Sequence, residues 1–136
     1  MKKLSHYGKR GQVRMVDVSA KPVTFRSATA RGFVRMKPRV VQAVRRLKNP
    51  KGNPLEIARI AGISAAKRTA EWIPLCHPLP LTQIDVTARL CKNGVEIRSR
   101  VTAAAQTGVE MEALVAVAAA ALTVYDMCKA LDKGIE

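Results

Sequence analysis

Ile84-Asp85-Val86-Thr87-Ala88-Arg89-Leu90-Cys91-Lys92-Asn93-Gly94-Val95-Glu96-Ile97 is the stretch that decides the fold. Ile84, Val86 and Ala88 alternate with polar or charged residues, and Val95, Ile97 and Val101 resume the pattern after a break. A period of two marks strands with one buried face. Between the runs, Asn93-Gly94 supplies the positive φ that a tight hairpin turn requires. Residues 82–91 and 95–104 are therefore expected to pair as an antiparallel hairpin.

Downstream, a helix is expected over 109–130. Its middle, Ala113 to Val124, holds only apolar residues and one threonine, while Glu110, Glu112, Asp126 and Lys129 stand at its ends. A middle of that kind must be buried, so the end groups lie where a packed core meets something polar. Upstream, Pro74, Pro78 and Pro80 impose a stiff extended segment. A helix precedes it at about 55–71, with Ile57, Ile60, Ala61 and Ala65 on one face. Lys48-Asn49-Pro50-Lys51-Gly52-Asn53-Pro54 is rich in helix breakers, and residues 48–54 read as a mobile loop. Pro38 suits the first turn of a short helix, about 38–47. Residues 13–19 and 23–36 read as strands, the second alternating through Val23, Phe25, Val34 and Met36, and 1–12 as a flexible arm. The order strand, helix, two-strand hairpin, helix gives one α+β domain over 1–136. It is a ferredoxin-like split βαβ with an antiparallel sheet and helices on one face, its last strand apparently missing. Gly134-Ile135-Glu136 has the look of that strand's first residues.

Charge narrows the partners. The chain carries a formal +14, and fifteen of its 24 basic residues lie within 1–51, where Asp17 is the single acid. A polyanion, either nucleic acid or the phosphates of a small molecule, is the natural partner. Five aromatic residues are too few and scattered for a base-stacking platform, which counts against nucleic acid. Neither a G-x-x-x-x-G-K-[ST] loop nor G-x-G-x-x-G is present. Arg26, Lys51, Lys67, Arg68 and Lys129 are the phosphate candidates, with Lys67 and Arg68 more simply read as a solvated face. The N-terminus has charge without an apolar signal core. Cys76, Cys91 and Cys128 are an odd set of reduced thiols. A cytoplasmic protein with no membrane span is expected.

The helix ends pose a problem of distance. Thr107-x-x-Glu110 matches a capping box, with Glu110 reaching back to the Thr107 backbone. Glu112 lies about 200° around the helix from Glu110, so a regular helix does not turn both to one site. Glu112 and Asp126 return to nearly one face but are fourteen residues apart, about 21 Å of helix. One small ligand cannot span that gap. If both acids serve one site, two antiparallel copies of the helix must meet, giving a symmetric dimer with composite sites. His77, in Leu75-Cys76-His77-Pro78, is held on a stiff backbone and suits a placed hydrogen-bonding or proton-carrying group. It reads equally well as a half-buried histidine bonded to a carbonyl. Zinc is rejected, because Cys76 and His77 on an extended strand point apart and no second ligand pair exists.

Taken together, several blocks closely resemble one family. They are Met15-Val16-Asp17-Val18-Ser19-Ala20-Lys21, Ala58-Arg59-Ile60-Ala61-Gly62-Ile63, Ala65-Ala66-Lys67-Arg68-Thr69, Ile73-Pro74-Leu75-Cys76-His77-Pro78-Leu79, Thr107-Gly108-Val109-Glu110-Met111-Glu112-Ala113-Leu114 and Leu122-Thr123-Val124-Tyr125-Asp126-Met127-Cys128-Lys129-Ala130. The chain resembles the cyclic pyranopterin monophosphate synthases of molybdenum cofactor biosynthesis, in order, from about residue 4 to its last residue. The resemblance implies a lyase that takes 3′,8-cyclised dihydroguanosine triphosphate and releases pyrophosphate. It implies Asp126 as catalytic acid/base assisted by Lys51 and Lys129. Leu75, Cys76, His77, Met111 and Glu112 would line the substrate pocket with Glu110 beside them, and Arg26 would meet phosphate. It calls for no cofactor or metal site, leaving room for magnesium with the triphosphate, and for a homohexamer of three dimers. Family members continue into a final strand and a glycine- and lysine-rich tail, so the sheet is expected to lack that strand. The alternatives are a basic α+β nucleic-acid-binding protein and a non-catalytic nucleotide-binding oligomer.

Overall fold

The protein is described by a computed structural model covering residues 4–46 and 51–136. Its elements are β1 (Thr24–Arg35), α1 (Pro38–Arg45), α2 (Pro54–Ala66), α3 (Thr69–Trp72), β2 (Leu81–Cys91), β3 (Gly94–Ala105) and α4 (Glu110–Cys128). The three strands form one antiparallel sheet in the order β1-β3-β2, and α2 and α4 pack side by side on one face of it. This is the expected ferredoxin-like α+β arrangement. In that topology a further strand adds along the free edge of β1. There Arg35 and Glu136 exchange both backbone hydrogen bonds, at 2.6 and 3.2 Å, and Ile135 is buried.

The hairpin forms as expected, but its turn is shifted by one residue. Cys91 pairs with Gly94, so Lys92 and Asn93 make the loop and Gly94 opens β3 at φ 156°. A Cβ at Gly94 would strike the Val34 carbonyl of the neighbouring strand, which is why glycine stands there. Ile84, Val86 and Ala88 face the helices together with Val95, Ile97 and Val101, all three of which are fully buried. Of the apolar set expected for a strand over 23–36, which forms as β1 one residue shorter at each end, only half does so. Val34 and Met36 are buried, whereas Val23 and Phe25 belong to the opposite parity and are exposed. On that open face Arg31, Arg89 and Arg98 converge on Glu96 at 2.5, 3.0 and 3.3 Å. Arg89, then Arg31, hold its carboxyl below the ordinary value.

Three more expectations are corrected. Residues 13–19 are not a strand: apart from a single bridge between Tyr7 and Val13 they run irregularly. The arm is tied into a small hairpin, with Gly8 N–H donating to Gln12 O at 2.8 Å. The helix expected over 55–71 breaks after Ala66, where the Thr69 hydroxyl donates to the Ala66 carbonyl and α3 starts anew. Its packing face is Ala58, Gly62 and Ala65, not Ile57 and Ile60, which point outward. Small residues win because α2 lies almost in backbone contact with α4: a Cβ on Gly62 would sit 2.9 Å from the Ala116 carbonyl oxygen. Of the loop expected at 48–54, residues 48–50 lie outside the described residues. Asn53 caps α2 by accepting from Leu55 N–H at 3.1 Å, and Pro54 follows at the first helical position.

α4 is long and apolar enough to pass the length and composition test for a membrane span. It is instead the central core element: Ala113, Ala116, Ala120 and Val124 are buried against α2 and the sheet. One stripe remains open, running through Leu114 at 52 % exposure, Ala118 and Leu122 at 63 %.

Candidate active site

The two ends of α4 carry two separate groups of candidate residues. At its start a cleft of about 260 Å³ is lined by Leu75, Cys76, His77, Glu110, Met111 and Glu112, together with Ser5, His6, Val16, Val18, Lys21 and Thr107. Six of the residues expected in a pocket are thus gathered in one.

Their local geometry departs from the expectation in instructive ways. No side chain caps α4; Val109 occupies the capping position, so the capping box does not form. The Glu110 carboxylate folds back over Gly108, where a Cβ would collide with it. Standing at the first helical residue, Glu110 escapes the 200° rule and lines the same cleft as Glu112. Cys76 and His77 likewise share it, because Ile73–Cys76 closes a turn, with Cys76 N–H donating to Ile73 O at 3.1 Å. His77 is a half-buried histidine bonded to a carbonyl, with Nε2 2.7 Å from the Val16 oxygen, and it also borders the cleft. Since a carbonyl only accepts, Nε2 carries the proton and Nδ1 is the lone-pair nitrogen of the neutral ring.

Glu112 is 4 % exposed. Burial raises its carboxyl above the ordinary value, its own backbone N–H offsets this in part, and neighbouring Glu110 adds to the rise. Burial likewise raises the Cys76 thiol, with Glu112 contributing. On the far side of Glu112 and His77 a second cleft is bordered by Lys67 and Arg68. A carboxylic acid with a raised pKa, an imidazole bonded to a carbonyl and nearby cations are the equipment for moving protons on a polar heterocycle.

The other end of α4 is built differently. Lys129 Nζ lies 2.9 Å from Asp126 Oδ1. Lys51 Nζ lies 3.6 Å from Oδ2 and donates to the Asp126 backbone carbonyl at 3.1 Å. Lys129 first, then Lys51, hold the Asp126 carboxyl below its ordinary value, and Asp126 raises Lys129 in return. All three are exposed. The structure therefore brings Lys51, Asp126 and Lys129 together, but at the opposite end of a nineteen-residue helix from the cleft.

Arg26 joins neither group. Its guanidinium donates to the Ala105 and Gln106 carbonyls at 3.4 Å each, and Gln106 in turn donates to the Ser19 and Lys21 carbonyls. It braces the segment that carries Lys21 to the cleft. Lys21, His6 and Ser5 were not among the expected pocket residues. Ser5 and His6 lie in the 1–12 arm, and the signal for His6 is that the chain has just two histidines. Among the described residues no group of three His, Cys, Asp or Glu side chains is arranged to hold a metal ion.

Known proteins are similar to this chain over nearly its whole length. The chain is 57 % identical to the cyclic pyranopterin monophosphate synthase of Thermomicrobium roseum, over 99 % of this chain and 82 % of that protein. Identity is 54 % to the synthase of Parvibaculum lavamentivorans, over 98 % and 85 %. It is 53 % to cyclic pyranopterin monophosphate synthase 1 of Mycobacterium tuberculosis, over 98 % and 79 %. The family model described as the MoaC family matches residues 15–136. The chain belongs to the MoaC family.

Proposed function

We propose that this chain is a lyase of molybdenum cofactor biosynthesis. It converts 3′,8-cyclised dihydroguanosine triphosphate to cyclic pyranopterin monophosphate with release of pyrophosphate. The observation that carries this reading is the pair of half-sites on one helix, in a chain 57 % identical to a protein of that name. A cleft of about 260 Å³ falls short of the ~300–1,000 Å³ usual for small-molecule sites, and a nucleoside triphosphate is a large ligand. A second subunit supplies the remainder.

Its placement follows from the open stripe on α4. A two-fold axis through Ala118 sets Leu114 against Leu122 of the partner subunit, because both are four residues from the centre. The same axis sets Glu110 against Asp126 of the partner subunit, eight residues away on either side. The apolar stripe is thereby buried, and the Lys51–Asp126–Lys129 group of one subunit meets the acidic cleft of the other. Trp72, exposed and sharing a shallow cleft with Leu122, extends the contact. Three such dimers make the hexamer that the family resemblance implies.

Within the composite site Leu75, Met111 and the stem of Glu112 pack the purine-derived ring. Glu112 and His77 face its polar edge, and Asp126 moves the protons that ring opening and reclosure require. Lys51, Lys129 and Lys21 offset charge as pyrophosphate departs, with Arg26 bracing Lys21. No resident metal is proposed; magnesium enters with the triphosphate. The enzyme works in the cytoplasm, on a small molecule and not on nucleic acid or a membrane. Incubation with the cyclised nucleotide, followed by mass spectrometry, is expected to show pyrophosphate and the cyclic pyranopterin. Unchanged substrate alongside an active relative would overturn the reading.

A further inference from the structure

Both histidines of the chain border one cleft, and both are tied to it in the same manner. The arm hairpin fixes His6: Arg14 N–H donates to the His6 carbonyl at 2.8 Å, and the His6 ring returns from Nδ1 to the Arg14 carbonyl at 3.3 Å. A carbonyl oxygen only accepts, so Nδ1 holds the proton and Nε2 is the acceptor of the neutral ring. His77 is its converse, with Nε2 bound to the Val16 carbonyl. Two carbonyls two residues apart in the same segment thus hold the two imidazoles in opposite tautomers, each with one lone-pair nitrogen left over. Ser5 of the arm and Lys21 beyond it border the cleft beside them.

Resting on the lyase reading above, we propose that His6 is a substrate-binding residue of this site. Its Nε2 accepts a hydrogen bond from the base–sugar part of the nucleotide, whose ring N–H, amino and hydroxyl groups are donors. The phosphates, which are acceptors, go to the lysines. The N-terminal segment, residues 4–21, is then a wall of the active site and not a tail.

Three substitutions in the full chain test this. His6→Ala is expected to lower kcat/KM about tenfold, mainly through KM, the loss of one ligand hydrogen bond. His6→Gln, whose amide reaches the place of Nε2, should keep most of the activity. His6→Asn, which reproduces only the donor to Arg14, should resemble alanine. Wild-type kcat/KM in His6→Ala, or full activity in His6→Asn with loss in His6→Gln, overturns the proposal. Ring-nitrogen NMR separates its failure from failure of the lyase reading. Adding the cyclised nucleotide should perturb His6 Nε2 even in a protein that does not turn over, and an unperturbed His6 ring overturns the proposal regardless of turnover in the wild type.

Discussion

The two ends of α4 carry the same kind of group, a carboxylate, in opposite conditions. Glu112 at the start is 4 % exposed, with its pKa pushed up by burial. The Asp126 side chain at the end is 59 % exposed, with its pKa pulled down by two lysines. One end is a cleft lined by loops, arm and the first turn of the helix, the other an exposed helix tip where two lysines meet Asp126. The proposed composite site joins the two by bringing a second copy of the helix alongside the first.

The largest way to break the comparison is at the exposed end. Asp126→Asn should reduce kcat by about 10²- to 10⁴-fold, the usual worth of a positioned acid/base. Substrate affinity by calorimetry should be nearly unchanged, since the cleft is untouched. Next comes the seam: Leu122→Arg places a charge in the proposed contact, and should shift the protein toward monomer in sedimentation while its far-UV circular dichroism is kept. Activity should fall with the loss of dimer.

The smallest effect sharpens the contrast in pKa. The folded chain holds the Glu112 proton more tightly than the unfolded chain, so this contribution to stability is complete below the ordinary glutamate value of 4.5 and is lost as pH rises through the folded value. Glu112→Gln removes the ionisation that burial opposes. It should melt higher than wild type at neutral pH, with the gap closing toward pH 4.5, while activity drops. A variant that is less stable at pH 7 than wild type would show Glu112 to be held by partners that stabilise its charge.

What was legible in the sequence is what depends on local pattern. The hairpin could be read because alternation and a turn dipeptide are neighbours in the chain, and the core helix because its middle is apolar all round. The sequence blocks also brought out Leu75, Cys76, His77, Met111 and Glu112 as one cleft. Contacts between distant segments were harder. Ile57 and Ile60 look like core residues until Gly62 brings α2 so close to α4 that only small residues fit between them. Residues 13–19 alternate like a strand, yet they cross over residue 77 and give a carbonyl to His77 instead of pairing in the sheet. The 200° separation of Glu110 and Glu112 presumed a regular helix, and Glu110 stands at its first residue, where the side chain turns back over Gly108.

Subunit complementation tests the composite site most directly. Asp126→Asn and Glu112→Gln, each inactive alone, are unfolded together, mixed in equal amounts and refolded. If opposite ends of α4 from two subunits form each site, half of the dimers are mixed and one of their two sites is intact, so about a quarter of wild-type activity returns. Sites built within one chain would leave the mixture as inactive as its parts, and that result would contradict the account.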